Sequence, residues 1–395
     1  MLPNYCRRLP LGLLALSLLA ACETRRPATE QAASAPATTD SAAVIDSAPA
    51  APQPAPAAPL TGYHRYVGTV GKAPVVLELT ISPPDAEEKE WRLYGTYYYE
   101  RQGAPLILSA AGAYQPGQPL ALKEETPKPD EPAETLPSGR WRATQAAGPV
   151  LSGTWESPDG RRRLPFSLRE DYAGALRYEL LTEKAAGPPC PPTEDQAGPR
   201  RPEAERTFLH LLGPDTLQPA LRALQAPLPE QRRNQLAVEL DGVDCEGTFG
   251  FYGGVEVALN GYGLLSVVTS EGEDSGGAYP NSAEELTTYD LRTGRALKLA
   301  DWLQPGQEPA LRRLLQQSLR AHPYASSLGL EAADLSKADL AGLGFDSEGV
   351  YCLLGDFGAP HAVQRVPVVV PYRALRPLLQ PGSAVARMLR QRGLW

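Results

Sequence analysis

Between Gly62 and Glu183 the chain carries nine short runs of strand-forming residues, with turn residues rather than helical patterns between them. They read HRYVGTV, PVVLELTIS, WRLYGTYYYE, PLILSAAGAY, PLALKEET, GRWRATQA, PVLSGTWES, RRLPFSLRE and ALRYELLTE. The intervals include Pro83-Pro84-Asp85, Pro116-Gly117, Ser138-Gly139 and Pro158-Asp159-Gly160. Side chains alternate across a strand, so Val75, Leu77 and Leu79 point one way, and Trp91, Leu93, Gly95, Tyr97 and Tyr99 share a face. Strands this closely spaced favour an all-β antiparallel domain over residues 61–184, either a barrel or a curled meander. The chain's 36 glycines and 41 prolines suit such a turn-rich fold. Tyr94 and Tyr98 give the third run a second aromatic face, which is either buried on both sides or borders an exposed tyrosine patch. Trp141 and Trp155 are expected to close the core; a ligand-filled interior is the alternative.

Before this domain, Arg7 and Arg8 precede an apolar run from Leu9 to Ala21, which meets Cys22 after Leu19-Ala20-Ala21. Charged residues, a short apolar core and small residues before cysteine form a bacterial lipoprotein signal. The run falls short of the ~20 residues a spanning helix needs. The expectation is a signal over 1–21, lipidation of Cys22 and placement in the cell envelope, on the periplasmic or surface side. The membrane is then a partner through the anchor. Residues 22–60, mostly Ala, Pro, Ser and Thr, are expected to form a disordered tether. A formal charge of −8, without a Lys/Arg block, makes nucleic acid a poor partner.

Beyond the barrel-like region, 185–202 has the composition of a Pro-rich interdomain linker. Residues 203–395 alternate helical and strand patterns in the order of an α+β domain. Phe208, Leu211 and Leu212 suggest a helix over 203–212, and strands are expected at 235–241, 249–259 and 264–271. The stretch GGAYPNSAEELTTYDLRTGRALKLADWL, 276–303, reads as a glycine turn, a strand over 285–291, a tight turn at Arg292-Thr293-Gly294, a return strand through Leu299 and a helix near Asp301. A helix over 308–320 carries Pro309 in its first turn. Strands at 342–345, 349–354 and 363–370 precede a terminal helix from Tyr372.

No catalytic motif, metal-ligand spacing or cofactor fingerprint is present. The four histidines, His64, His210, His322 and His361, are scattered without an HExxH or HxH pair. Glu271, Glu273 and Asp274 cluster in the glycine-rich segment EGEDSGG, with Glu284 and Glu285 beyond it. An acidic loop of this kind steers a basic protein or is a solvated turn. His361 near Asp356 is a second candidate surface. Cys245 and Cys352 are a candidate disulfide, with two separately buried thiols as the alternative.

The segments AYPN at 278–281, YDLRTGRALKLADWL at 289–303, GLGFDSEGVYCLL and VPVVVPYRALRPLL resemble the extracellular C-terminal domain of the RsiV-type family. That family includes a lysozyme-binding anti-sigma factor and domains attached to some peptidoglycan deacetylases. The resemblance covers roughly residues 203–380. A histidine often stands in that family where Tyr279 stands here, a departure that weakens the case for a histidine-centred site. The resemblance implies an RsiV-like α+β domain whose work is protein recognition, with lysozyme-like basic proteins as the candidate partner. The expected function is a non-enzymatic envelope binding or sensing module. The competing expectation is an enzyme or binding protein acting on cell-wall polysaccharide through carboxylates of the second domain.

Overall fold

The computed structural model describes residues 60–85, 88–128, 134–191, 201–213, 218–241, 243, 250–275, 281–322, 340–353 and 367–395. Eight antiparallel strands in sequence order form a closed barrel: β1 (Gly62–Val70), β2 (Ala73–Ser82), β3 (Arg92–Tyr99), β4 (Leu106–Ala110), β5 (Ala121–Pro127), β6 (Thr135–Ala143), β7 (Val150–Glu156) and β8 (Arg163–Glu170). Closure comes from β8 pairing back onto β1, Gly68 opposite Leu168. Of the two expected forms, the barrel is therefore the one adopted, and closure removes every edge.

The barrel interior is packed with side chains. Val75, Leu77, Leu79 and Ile81 point inward with Leu93 and Tyr97, and Trp141 packs between Tyr97, edge to face, and the tilted ring of Phe166 at centroid distances of 4.9 and 4.8 Å. One charged group sits among them. Glu124 is buried, and its Oε2 accepts from Tyr97 Oη (2.9 Å), Trp141 Nε1 (2.9 Å) and Trp155 Nε1 (2.6 Å), while Ser138 donates to Oε1 (2.9 Å). Four neutral donors thus replace the water a carboxylate loses on burial. Gly139 leaves room for this arrangement, since a Cβ there would fall 2.5 Å from the Trp155 indole nitrogen.

The ninth run leaves the barrel. β9 (Tyr178–Ala186) begins a second, six-stranded sheet with β10 (Glu203–Leu211), β11 (Gly250–Gly261), β12 (Leu264–Asp274), β13 (Asn281–Asp290) and β14 (Arg295–Ala296), in the order β14-β13-β12-β11-β10-β9. β10 and β11 pair parallel over Glu203–Arg206, and the other pairs are antiparallel. The segment expected as an interdomain linker therefore connects two neighbouring strands of one sheet. The expected helix over 203–212 is β10 instead. The expected strand over 235–241 belongs to helix α1 (Pro229–Asp241), in which Leu236 and Leu240 are buried one turn apart against Ala204. The return strand after Gly294 is only two residues long, because Leu299 already starts helix α2 (Leu299–Trp302).

The remaining elements are helix α3 (Glu308–Ala321), strands β15 (Gly344–Phe345), β16 (Gly349–Leu353) and β17 (Pro367–Pro371), and helices α4 (Tyr372–Leu375) and α5 (Ala384–Gln391). They form the largest core. Leu311, Leu315 and Leu319, spaced as one helical stripe, meet Val350, Val368, Val370, Leu375 and Met388. Pro309 stands in the first turn of α3, as expected.

Barrel and sheet belong to one compact unit, Ala57–Trp395. Arg392, beyond α5, donates from Nε (3.1 Å) and Nη2 (2.8 Å) to the Glu100 carbonyl at the end of β3, and Ser347 donates to the Gly103 carbonyl at 2.6 Å. Gly103 adopts φ +83°, and a Cβ there would strike the backbone of Ser347. On the sheet side, Tyr262-Gly263 forms the two-residue turn between β11 and β12 with φ +56° and +83°. The Tyr262 ring is flanked by the Arg65 and Arg392 guanidinium groups at 5.8 and 5.7 Å.

Candidate functional site

The acidic segment is not a loop. β12 runs on through Asp274, so Glu271, Glu273 and Asp274 are ordered on a strand, and β13 returns beside them with Glu284 and Glu285. The register explains how so many carboxylates share one hairpin. Glu271 lies opposite Gly253 and Ala283, Glu273 opposite Phe251 and Asn281, Asp274 opposite Gly250, Glu284 opposite Ser270 and Glu285 opposite Thr269. No acid faces another across a strand pair, which avoids the cross-strand repulsion of like charges. The two-residue period puts Glu271, Glu273 and Glu285 on one face and Asp274 and Glu284 on the other.

On the first face lies a groove of about 440 Å³, lined by Arg206, Phe208, Val255, Thr269, Glu271 and Glu285 among others. Arg206 of β10 donates to Glu271 Oε1 at 3.2 Å and to Glu239 Oε1 of α1 at 2.7 Å, which fixes the rim of the groove. The Glu271 side chain nevertheless stays 74% exposed, while that of Arg206 is only 18% exposed. Between residues 271 and 285 the sequence holds five carboxylates and no lysine or arginine. The result is a part-apolar floor of Phe208 and Val255 beneath an acidic rim. Such a surface accepts the aliphatic stem of a basic side chain below and its charged head above.

Of the expected surface, the structure places Glu271 and Glu273 on one face of β12 and Asp274 on the other. Tyr279, Asp356 and His361 lie outside the described residues, as do Cys22 and Cys245. The expected pairing of Cys245 with Cys352 is not formed: Cys352 keeps its thiol, buried in β16 with Sγ 3.9 Å from the Val368 carbonyl. Among the described residues, Cys190, buried just beyond β9, is disulfide-bonded. Arg206 and Phe208 were missed because β10 reads as a helix from Phe208, Leu211 and Leu212. The alternation of Ala204, Arg206 and Phe208 was the available signal.

Two of the described histidines, His64 and His210, are engaged in local hydrogen bonds. His64 Nδ1 is 3.0 Å from Glu170 Oε1 and Nε2 is 3.0 Å from the Thr61 carbonyl, so both ring nitrogens are engaged. Burial would raise the Glu170 carboxyl, but hydrogen bonds from His64 and Tyr172 hold it below its ordinary value. His210 lies on β10 rather than in a helix, with Nδ1 2.7 Å from Gln225 Nε2. Among the described residues, no three of His, Cys, Asp or Glu are placed to share a metal ion. At the junction, burial pushes the Tyr98 phenol well above its usual range and Asp346 up to about 6.

No protein-family model matches the chain, and no curated protein matches it. Among solved structures it is similar in fold to a DUF3298 family protein from Pseudomonas aeruginosa PAO1, at 22% identity and a TM-score of 0.38, over 52% of this chain and 95% of that one. It is likewise similar to a member of the DUF3298 family from Bacteroides fragilis NCTC 9343, at 17% identity and a TM-score of 0.42, over 55% of this chain and 99% of that one.

Proposed function

We propose that the protein is a non-enzymatic binding or sensing module of the bacterial cell envelope, lipid-anchored at Cys22, that docks a basic protein of the lysozyme type. The observation that carries this reading is the groove between β10 and the β12–β13 hairpin, with Glu271 and Glu285 on its rim and Phe208 and Val255 on its floor. Carboxylates presented on ordered strands give a partner a fixed field to align with, which raises association rate and sets orientation. The sequence resemblance to the RsiV-type domain supports a protein as the ligand. The signal-like segment before Cys22 supports the address.

Titration calorimetry of the purified protein with lysozyme tests the partner. Binding at low salt that weakens steadily as salt rises, and is lost in the double variant Glu271→Lys/Glu285→Lys, is the expected result. No heat at low salt with tens of micromolar protein overturns it. Both glutamates are exposed, so the variant is expected to change stability by less than about 0.5 kcal/mol. Mass spectrometry of the mature N-terminus tests the anchor, with a diacylated or triacylated Cys22 as the expected species.

A further inference from the structure

A second concavity lies where the barrel wall meets the sheet. It has a volume of about 610 Å³, within the range of small-ligand sites. Its wall is the outward face of β1, β2 and β3, where register places Tyr63, Thr80 and Tyr94 in one row and Ser82 beside Arg92. Its floor is the face of β9 and β10 that carries Leu180, Thr182 and Thr207.

Two features set this cleft apart from ordinary surface. First, its aromatic ledge is rigidly held. The Tyr63 ring stacks on Tyr178 at 4.2 Å, the Tyr63 hydroxyl donates to Glu78 Oε1 at 2.6 Å, and Asn260 Nδ2 donates to that hydroxyl at 3.2 Å. Second, the ledge ends in large groups left open: Tyr94 is 49% and Leu180 44% exposed, one on the wall and one on the floor. The polar groups around them are mainly hydroxyls. Those of Thr182 and Thr207 lie 3.0 Å apart on the floor, and Thr80 and Ser82 stand on the wall. The wall's cation, Arg92, is already met by Asp85 at 3.5 Å. Glu179 and Glu256, which also line the cleft, supply acceptors and oppose an acidic ligand.

We propose that this cleft binds a short neutral oligosaccharide. A pyranose presents C–H bonds on its faces and hydroxyls around its rim. The face lies on the electron-rich ring of Tyr94, and the rim exchanges hydrogen bonds with the threonine and serine hydroxyls and the two carboxylates. The cleft adjoins the acidic groove, with Thr207 and Val255 lining both, but none of the groups proposed to hold the sugar belongs to the acidic rim, so the proposal stands without the reading given above.

Saturation-transfer NMR with neutral tetrasaccharides of different linkage (cellotetraose, maltotetraose and chitotetraose) tests it on the intact protein. At least one is expected to receive saturation at millimolar concentration. Tyr94→Ala is expected to weaken it about tenfold and Tyr94→Phe to leave it within about twofold. Thr182→Trp, which fills the cleft from an exposed position, is expected to abolish the signal. Absence of transfer from all three sugars overturns the proposal, as does binding indifferent to both Tyr94→Ala and Thr182→Trp, or binding of unstructured peptide alone.

Discussion

The barrel and the acidic β12–β13 hairpin of the six-stranded sheet are both antiparallel, yet they treat charge in opposite ways. The barrel takes a carboxylate inside and surrounds it with donors from β3 and β6 and from β7, so Glu124 ties three strands to β5. The acidic hairpin leaves Glu271 and Glu285 exposed, opposite Gly253, Ala283 and Thr269, and among the described residues the sheet buries a carboxylate only at the other end of β13, where Arg387 meets Asp290 at 2.8 Å. A closed sheet encloses its own core, so a polar group buried there specifies packing. An open hairpin has surface to spare, so its polar groups are available for recognition.

Replacing each kind of group tests that contrast, beginning with the largest effect. Glu124→Ala strands the Tyr97, Trp141 and Trp155 donors in the core and is expected to cost about 4 kcal/mol in denaturant unfolding. A cost near that of a surface acid would break the contrast. Arg392→Ala removes both donors to the Glu100 carbonyl and the cation among Tyr98, Tyr262 and Tyr372, at about 3 kcal/mol. If it also splits one calorimetric transition into two, barrel and sheet are held together largely by this residue.

Asp346 gives a pH-dependent comparison. Its folded pKa of about 6 lies above the unfolded 3.8 because of burial, so between those values the folded protein binds more protons than the unfolded chain. Its contribution to stability therefore falls as pH rises through that window. Asp346→Asn keeps an oxygen for the Glu348 and Gly349 amides, which bond Oδ1 at 2.7 and 2.8 Å. The variant is expected to be about 2 kcal/mol more stable than the parent above pH 7 and to have a flatter stability profile from pH 4 to 6, by chemical denaturation at each pH. The smallest effect is expected from Ser347→Ala, which deletes the 2.6 Å bond to Gly103, at about 1 kcal/mol.

The barrel was readable because two-residue alternation persists along its strands. Leu77 and Leu79, read as one face, are indeed both buried. The second aromatic face of β3 has a divided explanation: Tyr98 is buried beneath the Arg392 junction, whereas Tyr94 looks into the cleft. In the second half, two short segments fit the wrong period. Leu236, Val238 and Leu240 alternate as a strand would, but Val238 is 75% exposed and only the two leucines, four apart, are buried. Phe208 and Leu211 suggest a helix, while β10 buries Phe208 toward α1 and Leu209 and Leu211 on its other face. Neither choice is local; each depends on which neighbours arrive from distant sequence. The acidic groove was half legible for the same reason: its glutamates stand out in the chain, but Arg206 joins them only once β10 is a strand.

The path of the chain at Tyr178 has a practical consequence for dissecting the molecule. A fragment ending at residue 184, where composition invites a cut, would keep eight strands whole and carry a ninth whose partner, β10, had been discarded. That orphan would offer its unpaired amides and carbonyls to any passing copy, and the preparation would tend to aggregate. Trimming just after Glu170 removes the hazard, and the shortened piece is the better starting point for asking whether the barrel folds alone.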